Sequence, residues 1–281
     1  GLQLGAERTV GFYQPGFVDR DRGQIDFRRL ERLIQQRIPD PDARLFAMLD
    51  IERPHLLWLR EGSGRNFARA QADLIAAVRL GKRLRPNVKW SLWGVPGLPR
   101  YPRDARGKKQ AWLDASRAVR EAAIATARAP AALHAELDWF CPAVYDHGLN
   151  ARHHEVVGQA HRAWARAVVR LADDIAGDRP VIAAVTHRVF NDTEPYNLAV
   201  LPAEELISDQ IVIGAEEGDG VIFWNGDHYY WNEEQSLQEH QPAEFATVRT
   251  EADFWRHANR IHQRAIKAMV ETVKVTSPRR R

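Results

Sequence analysis

Short apolar runs alternate with amphipathic stretches along almost the whole chain, and this alternation predicts the elements. Thr9–Tyr13 reads as a first strand, closed by Pro15 and Gly16. Ile25–Ile38 places Ile25, Leu30, Leu33 and Ile34 near helical spacing, with Asp26 positioned to cap its start and Pro39 and Pro41 to end it. Leu45–Leu49 is an unbroken apolar run, the pattern of a strand buried on both faces. Asn66–Leu80 gathers Phe67, Leu74, Ile75 and Val78 on one side of a helix, and Gly81 is its expected stop. Val88–Trp93, Leu137–Tyr145, Pro180–His187 and Gly220–Trp224 are further strands. Helical stretches fill Lys108–Ala129, Ala151–Ile175 and Ala203–Glu217, and Glu251–Val275 forms a last helix through Phe254, Trp255, Ala258, Ile261, Ile266 and Met269.

Repeated strand–helix units imply a parallel sheet with right-handed crossovers. The segments after the strands are polar, aromatic and unlike one another, whereas the helix-to-strand connections are short. That asymmetry predicts an α/β fold of the TIM-type (β/α) barrel, with its chemistry at the carboxy-terminal ends of the strands. Six strands are counted, so the barrel is expected to be irregular, with fewer than eight strands, or to hide strands after Trp93 or in Glu194–Leu201. No Gly/Ser or Pro linker and no low-complexity stretch interrupts the chain, so residues 1–281 are expected to form a single domain. An open doubly wound sheet is the competing topology, but no G-x-G-x-x-G follows any strand.

Composition narrows the function classes. Lys and Arg number 40 against 37 Asp and Glu, a net charge of +3. The basic residues are scattered, and only Arg279–Arg281 form a run, so no nucleic-acid footprint is present. No apolar stretch approaches membrane-spanning length. Cys141 is the single cysteine, which rules out an intrachain disulfide, and its apolar surroundings predict a buried, inert thiol. The chain begins at Gly1 with no initiator Met, which fits a removed leader and a secreted or periplasmic protein.

The chemistry concentrates in Ala43–Pro54, A-R-L-F-A-M-L-D-I-E-R-P. Asp50 and Glu52 stand two apart at the end of the apolar run, so on a strand they share a face. Crowding two carboxylates holds one of them protonated, which makes it a proton donor at neutral pH. The competing assignment for Glu52 is an ion pair with Arg53 or the cap of the next helix.

The other strand ends carry Tyr13 and Gln14; Trp93; Tyr145, Asp146 and His147; His187 and Arg188; and Trp224, Asn225 and Asp227. Aromatic faces beside carboxylates and amides suit a sugar, whose ring offers C–H faces and hydroxyls. The competing assignment for Trp93, Tyr145 and Trp224 is rim packing. No H-x-x-x-H or C-x-x-C spacing accompanies the histidines, so no metal and no cofactor are expected, and no G-x-S-x-G elbow is present.

The order of these motifs resembles the hyaluronidase family of glycoside hydrolases. L-D-I-E-R-P (Leu49–Pro54) is similar to the family's strand end I-D-W-E with W-R-P after it. Leu92–Pro102 is similar to its W-G…F-P…Y loop, and P-A-V-Y (Pro142–Tyr145) to its P-S-V-Y. Pro180–Arg188 matches a P-V strand with a basic residue past its end, and Gly214–Gly226 matches G-A-x-G-x-V-x-W-G loosely. The departures are the missing disulfides, Ile51 in place of the tryptophan of D-W-E, and His187 in place of a tyrosine.

The resemblance implies substrate-assisted, retaining hydrolysis of a polysaccharide or oligosaccharide containing an N-acetylhexosamine, an anionic one where basic residues line the groove. Glu52 would be the general acid and then base, and Asp50 would orient the acetamido group and stabilise the oxazolinium-like intermediate. Tyr145 would hold the acetamido oxygen, Trp224 would wall the sugar, and Asn225 or Asp227 would contact hydroxyls. Tyr13, Trp93, Asp146 and His187 complete the expected sugar-binding set. Two other readings stay open at this point: a retaining glycosidase with Asp146 or Asp227 as nucleophile, and a non-catalytic carbohydrate-binding barrel.

Overall fold

The structure, a computed structural model, describes residues 9–19, 22–145, 154–187, 207–224, 248 and 250–276. In chain order the elements are β1 (Thr9–Tyr13), a 3-10 turn (Gln14–Gly16), β2 (Val18–Asp19), β3 (Gln24–Ile25), α1 (Phe27–Arg37), β4 (Phe46–Asp50), α2 (His55–Leu59), α3 (Gly64–Leu84), β5 (Lys89–Leu92), α4 (Arg117–Arg128) and α5 (Ala131–Glu136). They continue with α6 (His154–Ala176), β6 (Ile182–Thr186), a π-helical turn (Ile207–Ile211), α7 (Val212–Glu217), β7 (Gly220–Trp224) and α8 (Glu251–Thr276). Contacts divide the chain into two compact units, Gly1–Ala143 with Arg170–Ile182, and Val144–Val169 with Ala183–Arg281.

In the first unit β1, β4 and β5 pair in parallel in that order, Tyr13 standing opposite Asp50 and Leu49 opposite Leu92. Alternation sends Phe12, Ala47, Leu49 and Trp90 to one face and Gly11, Met48 and Ser91 to the other. Helices α1 and α3 pack with the first face through Leu30, Ile34, Leu74 and Val78, all fully buried. Asp26 caps α1 as expected, its carboxylate accepting the Arg29 N–H at 3.0 Å.

Gly81 does not end α3, which runs on to Leu84. A Cβ at Gly81 would lie 2.7 Å from the Trp90 indole, so the glycine serves close helix–sheet packing rather than termination. The stretch Leu137–Tyr145 is not a continuous strand. The Asp138 carboxylate takes the Trp90 N–H at 2.8 Å, where a neighbouring strand's carbonyl would sit, and Pro142 has no N–H to give. What remains are isolated bridges, parallel from Trp93 to Cys141 and from Phe140 to Val181 and antiparallel from Val95 to Cys141.

The helix expected from Lys108 starts only at Arg117. Asp104 accepts the N–H groups of Arg106 and Lys108, each at 2.9 Å, and holds that segment in turns until Ser116 caps α4. The β2–β3 hairpin and the short helices α2 and α5 are additions to the sequence reading.

In the second unit β6 pairs with β7, and α8 buries Phe254 and Ala258. Gly214 on α7 faces Val221 too closely to admit a Cβ. The buried Asp209 carboxylate pairs with Arg162 at 2.6 Å, and the side-chain oxygen of the fully buried Gln210 accepts the Thr186 N–H at 2.9 Å. The described residues therefore form a mixed α/β structure with three small sheets, and among them no closed barrel is present. None of the described helices is long and apolar enough to cross a membrane.

Candidate active site

Within the first unit the carboxy edge of the sheet is a row. Tyr13 and Asp50 are register partners at the ends of β1 and β4, and residues in register share a face. Trp93 follows Leu92, the partner of Leu49, and its N–H donates to the Leu49 carbonyl at 3.0 Å, which puts it level with Asp50. All three project from the face opposite Phe12 and Trp90. Gly11, one strand repeat before Tyr13 on that face, has only 3.3 Å between an added Cβ and the phenol ring, so the tyrosine lies back over its own strand.

Asp50 is buried, and Tyr13 is 37% exposed. Below Asp50 on the same face lie Met48 and the fully buried Cys141, whose sulfurs are 3.4 Å apart. Burial pushes the Cys141 thiol up from its ordinary value, and the negative charge of Asp50 adds to that shift. The carboxylate of Asp50 therefore projects on the face that carries Met48, within electrostatic reach of the thiol. The thiol itself is buried and inert, as its sequence context predicts.

β4 ends at Asp50; Ile51 turns into the core and Glu52 out to solvent. Two main-chain N–H groups follow the strand without a ladder partner, and the buried Gln14 satisfies both. Its Oε1 accepts from Glu52 at 2.7 Å and from Arg53 at 3.1 Å. The Glu52 carbonyl then accepts the Leu56 N–H at 2.7 Å, starting α2. Arg60, at the far end of α2, feels the Glu52 charge. Partial burial lowers its guanidinium from the ordinary arginine value, and Glu52 opposes that shift.

In the second unit Tyr145 stacks on Trp224, ring centroids 5.7 Å apart and planes at 25°. Phe223 precedes Trp224 on β7 and so points to the opposite face of the strand. Phe223 stacks on His187 at 5.4 Å, and His262 of α8 meets the His187 ring edge-on at 5.3 Å. His187 is thus buried beside Phe223 and His262, and Phe223 lies on the other face of β7 from Trp224. Asp146, Asn225 and Asp227 lie outside the described residues.

Sequence reasoning placed Gln14 at a strand end but missed its role in holding the Glu52 backbone. Arg60, Phe223 and His262 were missed altogether. Alternation along Gly220–Trp224 was the one available signal for Phe223; the other two carry none.

No protein-family model matches the chain, and neither does any curated protein sequence. Solved structures do. The chain is similar to bee venom hyaluronidase in a monoclinic crystal, at 12% identity and a TM-score of 0.54, covering 94% of this chain and 88% of the other. It is also similar to bee venom hyaluronidase in complex with a hyaluronic acid tetramer, at 13% identity and a TM-score of 0.59, covering 96% and 88%. At this identity the likeness is one of fold: the chain has a distantly hyaluronidase-like fold.

Proposed function

We propose that the protein is a glycoside hydrolase that cleaves an N-acetylhexosamine-containing polysaccharide by substrate-assisted, retaining hydrolysis. One observation carries the reading: β4 ends on Asp50 at the carboxy edge of a parallel sheet, and Glu52 follows two positions beyond the strand. Asp50 is buried in the row, and Glu52 is exposed on backbone anchored by Gln14. Fold likeness to an enzyme crystallised with a hyaluronic acid tetramer supports the substrate class. The parallel order β1–β4–β5, carried on by the bridges at Cys141 and Val181, is compatible with the wall of an irregular (β/α) barrel.

In this reading the 2-acetamido oxygen attacks the anomeric carbon of its own sugar while Glu52 gives its proton to the departing glycosidic oxygen. Asp50 accepts the acetamido N–H and opposes the positive charge that builds on the oxazolinium-like ring. Glu52, now a carboxylate, takes a proton from water as it opens that ring, and configuration is retained. The acetyl requirement is the test. An N-acetylated glycosaminoglycan should be cut and its de-N-acetylated form left intact; equal cleavage of both would point to a protein nucleophile instead.

A further inference from the structure

A cavity of about 370 Å³ opens between α2, the Pro-rich loop after β5, α4 and α5, all within the first unit. Its lining is unlike a sugar site. Leu56, Leu59 and Val95 supply aliphatic wall, and α4 turns a stripe of small residues toward it at Val119, Ala122, Ala123, Thr126 and Ala127. Those positions recur every three or four residues, so one helix face is kept short where longer side chains would fill the space. Only Tyr101 adds an aromatic ring besides His134.

The polar groups share one sign. Arg60 and Arg103 both line the cavity, and no aspartate or glutamate does. Arg103 gives one N–H to the Gly107 carbonyl at 2.7 Å, which leaves most of its donor fork unspent. The Arg60 side chain reaches solvent, and the carboxylate that acts on it is Glu52, outside the lining. His134, 4% exposed, also contributes to the wall, and its Nε2 has no hydrogen-bond partner among the described residues. Two arginines and an unsatisfied buried ring nitrogen, set about an aliphatic chamber, ask for an anionic head on an apolar body.

We infer that this cavity binds an aliphatic monocarboxylate, its carboxylate held by Arg60 and Arg103 and its chain lying along the small-residue face of α4. The volume is at the lower end of ligand pockets, which fits a medium-length chain rather than a long lipid. The inference is independent of the hydrolase reading, because it concerns a ligand that is bound and not turned over.

Calorimetric titration of the full chain with octanoate, 1-octanol and octylamine, each below its micelle limit, tests it without any assay of hydrolysis. Octanoate should bind at least tenfold more tightly than octanol, and octylamine should not bind. Ala123→Phe, which fills the chamber, should weaken octanoate tenfold or more. Arg103→Gln, on a loop, should abolish the preference for octanoate over octanol and keeps the test decisive should Ala123→Phe fail to fold. An absence of octanoate binding, equal binding of the three amphiphiles, or unchanged octanoate affinity in a folded Ala123→Phe or in Arg103→Gln overturns the proposal.

Discussion

Gln14 and Glu52 are joined by a hydrogen bond of 2.7 Å from the Glu52 N–H to the Gln14 side-chain oxygen, 38 residues apart in the chain. A buried side chain at the end of one strand thereby sets the backbone from which the proposed general acid projects. Gln14→Leu keeps the bulk but orphans the Glu52 and Arg53 N–H groups, so stability should fall by about 1–3 kcal/mol in denaturant titration. Turnover should fall further than the loss of folded protein explains, and Gln14→Glu, which keeps an acceptor, should recover most of it. Activity that merely follows the folded fraction in Gln14→Leu would show that the clamp is structural only.

Helix α3 offers a test in which two effects oppose. Replacing a mid-helix glycine by alanine ordinarily stabilises by up to about 1 kcal/mol. At Gly81 the added Cβ would meet the Trp90 indole at 2.7 Å, and Trp90 is fully buried against Phe12, so the ring cannot step aside. Gly81→Ala should destabilise by about 1–3 kcal/mol. A rise in melting temperature would contradict the packing described for this helix.

The two glycine and strand misreadings share a cause. Gly81 looks like a stop because sequence shows the missing side chain and not the indole that needs the space. Leu137–Tyr145 looks like a strand because it is apolar, and nothing local reveals that Asp138 reaches back to the Trp90 N–H. By contrast β1, the Asp26 cap, Asp50 at its strand end and the burial of Cys141 were all legible, because each follows from residues within a few positions. His187 was legible as a strand-end residue but not as one enclosed by Phe223 and His262, since those lie 36 and 75 positions further on.

Acid should weaken the fold through His134. Burial, with Arg179 and Arg128 adding positive charge nearby, pushes its imidazole down to about 4 from 6.5. Between those values the unfolded chain holds a proton at this site that the folded chain does not, so the contribution is complete above pH 6.5 and is lost as pH falls toward 4. His55, also lowered by burial, acts in the same direction. His134→Gln should flatten the stability–pH curve across this window in chemical denaturation; an unchanged slope would place the acid sensitivity elsewhere.

Cys141 should report global unfolding. The thiol is fully buried and pushed up, first by burial and then by Asp50. Labelling by a thiol reagent at neutral pH should proceed only at the rate of unfolding and rise with denaturant as unfolding does. Fast labelling of the native protein would contradict the packing of Cys141 beneath Asp50.

The central claim is that Glu52 moves the proton to and from the glycosidic oxygen, with the acetamido group as nucleophile. It is tested most directly by comparing the release of reducing ends from hyaluronan by the native chain and by Glu52→Gln, with folding verified for both. The native chain should cleave and the variant should lose at least about a hundredfold in rate, the smallest effect expected for a general acid–base, while oligosaccharide binding survives. Cleavage by folded Glu52→Gln at the native rate, or none by the native chain on any N-acetylated glycan, would contradict it.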